Sequence, residues 1–254
     1  MYKKGLVCFL VLNFILGPIS KVVAQPQFKM IEHEEQLWTA YFNQTRFSNK
    51  WGLWFDAHLR SKEQFYKGLS QGLIRPAAMF FLTEDLKLLA GYVFVNHFPA
   101  DNHREISQPE HRFWQQLQWQ VKYPKFRLAQ WLRLEERYRR KIENDRELGD
   151  GYIFNYRVRY NFLAQFALGN HAFKKGSFSI AAGNELFLNF GRQIVYNTFD
   201  QNRFFAGIQY HVNRHDQLQI GYMNMFQQLA GGAQYRMNHI VRVFYFQALD
   251  LRKN

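Results

Sequence analysis

Apolar and polar residues alternate one by one along much of this chain. The clearest run lies in residues 153–163, where aromatic and apolar side chains are interleaved with polar ones: Phe154, Asn155, Tyr156, Arg157, Val158, Arg159, Tyr160, Asn161 and Phe162. Residues 51–60 and 203–212 repeat the pattern. Because side chains of a β-strand point alternately to opposite faces, these runs predict strands with one apolar and one polar face.

Eight further segments show the same period less regularly, near residues 36–46, 69–80, 86–97, 111–122, 126–139, 176–189, 216–226 and 237–249. That makes eleven strands, although a bacterial single-chain barrel is expected to have an even number. A short strand near Phe28–Ile31 would complete twelve. The predicted fold is all-β: a single antiparallel up-and-down transmembrane β-barrel of about 10–12 strands, formed by residues 25–254.

The connections between these segments alternate in length. Tight turns are predicted near residues 47–49, 83–85, 123–125 and 213–216, and longer polar connections near 61–68, 98–110, 140–152, 190–202 and 227–236. Short turns on the periplasmic side and longer loops outside are usual for outer-membrane barrels. No interdomain linker or internal repeat is visible, so a single domain is expected.

The first 24 residues have the pattern of a secretory signal peptide. Lys3 and Lys4 precede an apolar stretch from residue 5 to 17, and Val22-Val23-Ala24 supplies small residues for cleavage before Gln25. An N-terminal membrane anchor is the alternative interpretation. Cleavage would remove Cys8, which is the single cysteine of the chain, and leave no thiol chemistry.

Alternation alone does not say which face points inward, because soluble and membrane barrels both alternate. Eighteen per cent of the residues are aromatic, and interfacial girdles are one physical reason for such an excess. The polar faces carry bulky charges of both signs, which suits a lumen crossed by ion pairs. We therefore expect a lumen-facing polar network of Asp56, His58, Arg60, Arg112, Arg133, Glu135, Arg137, Arg157, Arg159, Glu185 and Arg203. Such a network either supports the lumen structurally or lines a path or site for anions.

The formal net charge of +13 raises the question of nucleic acid as a partner. The basic residues are, however, mostly arginines scattered singly between aromatic residues, without a basic tail or a lysine-rich run. This distribution argues against nucleic acid. The expected partners are outer-membrane lipid and the barrel-assembly machinery, with the ligand unknown.

Short aromatic motifs run through the chain. They begin with Leu37-Trp38, continue with residues 110–117 (EHRFWQQL) and 132–138 (LRLEERY), and end with residues 184–189 (NELFLN) and 201–203 (QNR). In these motifs the sequence resembles a family of predicted bacterial outer-membrane β-barrel proteins that is known only as a domain of unknown function. The resemblance implies a barrel in the outer membrane, and it brings no catalytic residues with it. The chain departs from many such barrels in ending on Lys253-Asn254 rather than on an aromatic residue.

Motifs for catalysis and metal binding are scarce. There is no G-x-S-x-G, and Ser177 and Ser179 have no histidine near them in the sequence. No histidine pair has a typical zinc spacing, so no catalytic residue, metal or cofactor is predicted. The sequence favours a non-enzymatic barrel with a structural, binding or narrow-pore function and a positively biased lumen. An outer-membrane lipid-modifying enzyme and a soluble periplasmic barrel for a hydrophobic ligand stay open as alternatives.

Overall fold

The computed structural model describes residues 30–100, 103–170 and 172–252, so the signal peptide expected at residues 1–24 lies outside the described residues. The described residues form eleven β-strands: β1 (Met30–Arg46), β2 (Trp51–Lys62), β3 (Gly68–Phe81), β4 (Leu86–His97), β5 (Gln108–Lys122), β6 (Phe126–Ile142), β7 (Leu148–Ala167), β8 (Phe178–Phe190), β9 (Phe199–His211), β10 (Asp216–Gln228) and β11 (Gln234–Asp250). Among the described residues, no helix is long and apolar enough to cross a membrane.

The strands close into a barrel in which each strand pairs in antiparallel fashion with its neighbours in the chain. The seam is different: β1 and β11 are parallel, in register from Met30 opposite Gln234 to Arg46 opposite Asp250. An odd number of alternating strands leaves the first and last pointing the same way, so a parallel seam is the geometric consequence. The expectation of an even number was therefore wrong for the described residues. Met30 and Ile31 belong to β1, and Phe28 lies outside the described residues.

All eleven strands predicted from the sequence are confirmed, but several are longer than the alternation suggested. Strand β7 covers residues 148–167 because its ladder with β6 continues to the pair Ile142–Leu148. Strand β1 begins six residues before the predicted position 36, because pairing with β11 extends that far. Cross-strand hydrogen bonds thus extend strands into stretches where the local pattern is weak.

The connections lie at two ends of the barrel. One end carries the short connections 47–50, 82–85, 123–125 and 212–215, as predicted, together with the ten-residue connection 168–177, which the sequence analysis missed. The other end carries connections 63–67, 98–107, 143–147, 191–198 and 229–233. We call these the short-turn end and the loop end. The predicted difference in length is weaker than expected, because three loop-end connections have only five residues.

The faces of the barrel are inverted relative to a soluble protein. Large apolar side chains on the outside are exposed, for example Leu53 at 55% and Ile208 at 54%. The inward positions of the same strands hold buried charges such as Asp56, which is 0% exposed. A soluble barrel could not leave so much apolar surface in water, whereas lipid favours this outer face. The predicted transmembrane orientation of the two faces is thereby confirmed.

Aromatic pairs on the outer face mark both ends of the barrel. Near the short-turn end, neighbouring rings lie 4.9 Å apart in the pairs Trp51–Phe80, Phe126–Phe166 and Phe178–Tyr210. Near the loop end, the pairs are Tyr138–Phe154, Tyr156–Phe190 and Phe226–Tyr235, at 4.8, 5.4 and 5.2 Å. Two such belts are what the two membrane interfaces require, because aromatic rings prefer the depth of the lipid headgroups.

Candidate functional site in the barrel lumen

The structure places the eleven residues of the expected polar network on the inner face of the barrel. Most are buried, and His58, Arg60 and Arg203 are partly exposed: Asp56, His58, Arg60, Arg112, Arg133, Glu135, Arg137, Arg157, Arg159, Glu185 and Arg203. Further inward charges were missed by the sequence analysis, namely Arg75, Glu110, Asp200 and Arg242. The sequence pattern gave no signal for Arg75 and Arg242, because their neighbours on the same face, such as Leu73, Ala77, Ile240 and Phe244, are apolar.

One group of charges is fully engaged in ion pairs, and we call it the paired cluster: Glu135, Arg157, Arg159, Glu185 and Asp200. Arg157 Nε and Arg159 Nη1 donate to the two oxygens of Glu135 at 2.9 and 2.6 Å. Arg157 Nη1 also donates to Asp200 at 3.0 Å, and Arg159 Nε donates to Glu185 at 2.7 Å. Buried carboxylates and guanidinium groups here satisfy one another across strands β6 to β9.

Asp200 reaches this cluster because of an irregularity in the sheet. The register of β8 and β9 shifts between Phe187 and Leu188, which pair with Gln201 and Phe199 and leave Asp200 as the additional residue. Asp200 and Gln201 are consequently both buried, although strict alternation would put one of them outside. The sequence pattern alone could not predict this inward carboxylate.

A second group surrounds Glu110 toward the loop end. Arg112 and Arg137 donate through Nε to Glu110 Oε1 at 2.8 and 2.6 Å. Arg139 Nε and His97 Nε2 lie 3.1 and 2.7 Å from Oε2. A single buried carboxylate therefore holds three arginines, and this part of the lumen has a local excess of positive charge.

Asp56 anchors a third group on β2. Trp54 Nε1 donates to its Oδ2 at 2.5 Å, and His58 Nε2 lies 2.8 Å from its Oδ1. Arg75, on the neighbouring strand β3, approaches Oδ2 only to 3.6 Å. The carboxylate oxygens are thus occupied by the two ring nitrogens, and Arg75 is held by charge attraction rather than by a short hydrogen bond.

Aromatic rings separate the arginines of these groups. Arg60 and Arg203 lie over Trp38, at 3.8 and 5.0 Å from the ring. Arg159 and Arg203 lie 4.5 and 4.4 Å from the ring of Phe187. Arg133 lies 4.1 Å from Trp114. Stacking of guanidinium groups on ring faces stabilises cations that lack a carboxylate, which lets the lumen hold many arginines at close range.

Positive charge dominates the buried interior. Within the described ranges, eight cationic side chains are buried, against five carboxylates: Arg46, Arg75, Lys87, Arg112, Arg133, Arg137, Arg157 and Arg159 against Asp56, Glu110, Glu135, Glu185 and Asp200. Trp114 and Phe187 are buried between them and help to fill the lumen. The arrangement can attract an anion and exclude a cation.

Ser179 and His211 form a contact that the sequence analysis did not find. They lie on neighbouring strands, and His211 Nε2 is 3.0 Å from Ser179 Oγ, so a histidine that is distant in the sequence is adjacent in the fold. The ring of Phe173 packs edge-on against His211, with centroids 5.6 Å apart. In the described part of the chain, no carboxylate hydrogen-bonds His211. Among those residues, the pair therefore has no third group of the kind that orients a catalytic base. The part of the chain that the structure describes contains no cluster of His, Cys, Asp or Glu that could hold a metal ion.

Fold and lumen together define a transmembrane β-barrel with a charged interior. The chain belongs to the family described as "Protein of unknown function (DUF2490)", whose model matches residues 35–236. Among solved structures, the chain is similar to the NanC porin, with a TM-score of 0.50 and 10% identity, covering 84% of this chain and 98% of the porin. At this identity the likeness concerns the fold alone. No curated protein sequence matches the chain.

Proposed function

We propose that this protein is an outer-membrane barrel that conducts small anions through a narrow, positively charged lumen. The observation that carries the proposal is the excess of buried arginines over carboxylates on the inner face. A low-dielectric wall concentrates the field of those charges in the lumen, so anions are attracted and cations are repelled. The path is narrow because side chains fill the interior, and permeation requires some of them to move.

The ion pairs explain why the positive charges persist at such density. Glu135 fixes two arginines and Glu110 fixes three, and aromatic rings separate arginines that lie close together. A purely structural network would be expected to balance its charges, because an uncompensated buried charge is costly. The excess of buried positive charge destabilises the folded barrel, and a role in anion transport would explain why the barrel has it.

Selectivity is the property that tests this proposal. The purified barrel would be inserted into a planar lipid bilayer, and the reversal potential measured across a KCl gradient. The expected result is a potential of the sign set by chloride, with a conductance well below that of a wide porin. A potential of the sign set by potassium would refute the proposal, and so would the absence of any conductance at either polarity.

We also propose the location and the route of assembly. Export would depend on residues 1–24, and the assembly machinery would insert the barrel among outer-membrane lipids, which match the exposed apolar face. The test is to isolate the outer-membrane fraction and compare gel mobility with and without boiling. A band that shifts only on heating, with Gln25 as its first residue, is the expected result. A protein released without detergent would contradict it.

A further inference from the structure

The buried interior is short of hydrogen-bond acceptors rather than donors. Among the described residues, six buried side-chain atoms have no hydrogen-bond partner, and all six are nitrogens: His58 Nδ1, Arg60 Nε, Arg75 Nε, Trp114 Nε1, Arg133 Nη1 and Arg242 Nε. The arginine and tryptophan nitrogens can only donate. An oxygen with free lone pairs, placed among such groups, would complete the hydrogen bonds that the protein itself leaves unmade.

Three of these nitrogens belong to Trp114 and to two arginines beside its ring. The guanidinium groups of Arg133 and Arg75 lie 4.1 and 5.8 Å from the ring of Trp114. The three residues come from strands β6, β3 and β5, and each is less than a tenth exposed. We call Arg75, Trp114 and Arg133 the donor cluster. Two positive charges thus lie beside one tryptophan ring, and each of the three side chains has an N–H group without a partner.

The carboxylates nearest to the donor cluster are already engaged. Asp56 accepts from Trp54 and contacts His58, and it stays 3.6 Å from Arg75. Glu135 is held by the two arginines of the paired cluster, and its nearer oxygen is 3.7 Å from Arg133 Nη1. Neither acid can turn toward the donor cluster without giving up shorter bonds, so a second source of oxygen atoms is needed.

The surroundings of Trp114 are apolar. Its ring belongs to a buried cluster with inward side chains of β3 and β4: Leu73, Ala77, Met79, Phe81, Leu89, Val93 and Val95. An apolar patch is unusual in a barrel whose lumen would otherwise be polar. A ligand whose charged group contacts the arginines would place its uncharged part against this patch.

We propose that the donor cluster binds the oxyanion group of a small organic acid, with the apolar part of that ligand against the β3–β4 patch. This inference rests on the proposed function, because it names the class of anion that the lumen recognises. Carboxylates and phosphate esters share the chemistry required, namely several acceptor oxygens and a negative charge. Chloride meets the charge requirement but leaves the apolar patch without a contact.

Binding would be measured by titration calorimetry on the folded barrel in detergent. The probes are hexanoate, acetate, inorganic phosphate and hexylammonium. We expect hexanoate to bind at least tenfold more tightly than acetate, because its chain covers the patch. Phosphate binding as tight as that of acetate or tighter would extend the ligand class to phosphate esters, and weaker phosphate binding would restrict it to carboxylates; both results support an oxyanion site. Equal affinity for hexanoate and hexylammonium would overturn the proposal.

The variant Trp114→Phe tests the cluster directly, because it keeps an aromatic ring and every charge, and removes the N–H group together with the five-membered part of the indole. Hexanoate affinity is expected to fall about tenfold, which corresponds to about 1.4 kcal/mol. The matched control is Trp119→Phe, the same substitution on the outer face of the same strand, which should leave the affinity unchanged. Equal affinities for the wild type and Trp114→Phe, or equal losses in both variants, would overturn the assignment.

Arg75→Gln provides the second variant, and its control is Arg46→Gln, which removes a cation that is bound to Glu84 at the short-turn end. Loss of hexanoate binding in Arg75→Gln but not in Arg46→Gln is expected, and the reverse pattern would refute the site.

The reversal potential of Trp114→Phe separates this inference from the proposed function, because that variant keeps every charge. Retained anion selectivity with weakened binding supports both. Unaltered binding in a selective pore would refute the site alone, and specific binding in a non-selective barrel would refute the pore alone.

Discussion

The paired cluster and the donor cluster both contain buried arginines, but these arginines have different roles. In the paired cluster, Arg157 and Arg159 each form ion pairs with two carboxylates. These ion pairs link strands β6 to β9. In the donor cluster, Arg75 has no hydrogen-bond partner for its Nε, and Arg133 uses its Nε on Gln116 but leaves Nη1 without one. The difference shows that a count of lumen arginines overstates the number available to a ligand.

The largest effect is expected from removing the arginines of the paired cluster. The double substitution Arg157→Ser and Arg159→Ser leaves Glu135 and its neighbouring carboxylates buried without a counter-charge. Breaking one buried pair from one side costs about 3–5 kcal/mol, so loss of the folded barrel is expected before any change in selectivity can be measured. Urea unfolding in detergent, followed by the heat-dependent gel shift, provides the measurement. A variant as stable as the wild type would show that the two clusters do not differ.

The substitution Gly91→Ala should have the next largest effect. A Cβ at Gly91 would lie 2.4 Å from the carbonyl oxygen of Pro76 and 2.5 Å from Cβ of Ala77, and neither of these can move freely in a sheet. Gly91 pairs with Trp114, so the strain arises beside the donor cluster. Overpacking of this kind typically costs about 1–3 kcal/mol. The urea midpoint should fall, and Gly72→Ala is the control, because its nearest neighbour would be 3.6 Å away.

Removing a donor-cluster arginine should affect stability less and selectivity more. Arg75→Gln deletes a charge that contacts Asp56 only at 3.6 Å, so a loss of about 1 kcal/mol is expected from the urea midpoint. The reversal potential should move toward zero, because one uncommitted positive charge leaves the lumen. A barrel that unfolds as readily as the double arginine variant would place Arg75 in the structural network instead.

The smallest effect is expected at the short-turn rim of the barrel. Arg46 donates to Glu84 at 2.5 and 2.9 Å, and this hydrogen bonding lowers the pKa of the Glu84 carboxyl below its ordinary value. A lowered pKa in the folded state adds stability above the unfolded pKa of about 4.3, and this stability is lost as the pH falls through the folded value. Glu84→Gln should cost about 0–1 kcal/mol at pH 7 and less at pH 2, measured by urea unfolding at both pH values. Equal costs at the two pH values would contradict this account.

The sequence predicted which residues face the lumen, but it did not predict which of them are held in ion pairs and which have donors without partners. Arg157 and Arg159 sit in the most regular alternation, so the sequence predicts an inward position for both. Their positions in the structure make them structural supports. The sequence pattern does not predict a role for Arg75 or Trp114. Arg75 precedes a proline, and Trp114 lies in a motif where polar and apolar residues share the inward face. Whether an N–H group in the lumen has a hydrogen-bond partner depends on acceptors on other strands.

The sequence by itself determined the strands and the direction of their faces. Alternation has a period of two residues and is a local property, so eleven segments, six of them with charged inward positions, could be recognised without knowledge of their partners. Only the tertiary structure decided the parallel seam of β1 and β11, the inward turn of Asp200 and the meeting of Ser179 with His211. It also decided which arginines are paired. These features depend on register, on one irregular residue in a ladder and on closure of the barrel, which are non-local relations between strands far apart in the chain.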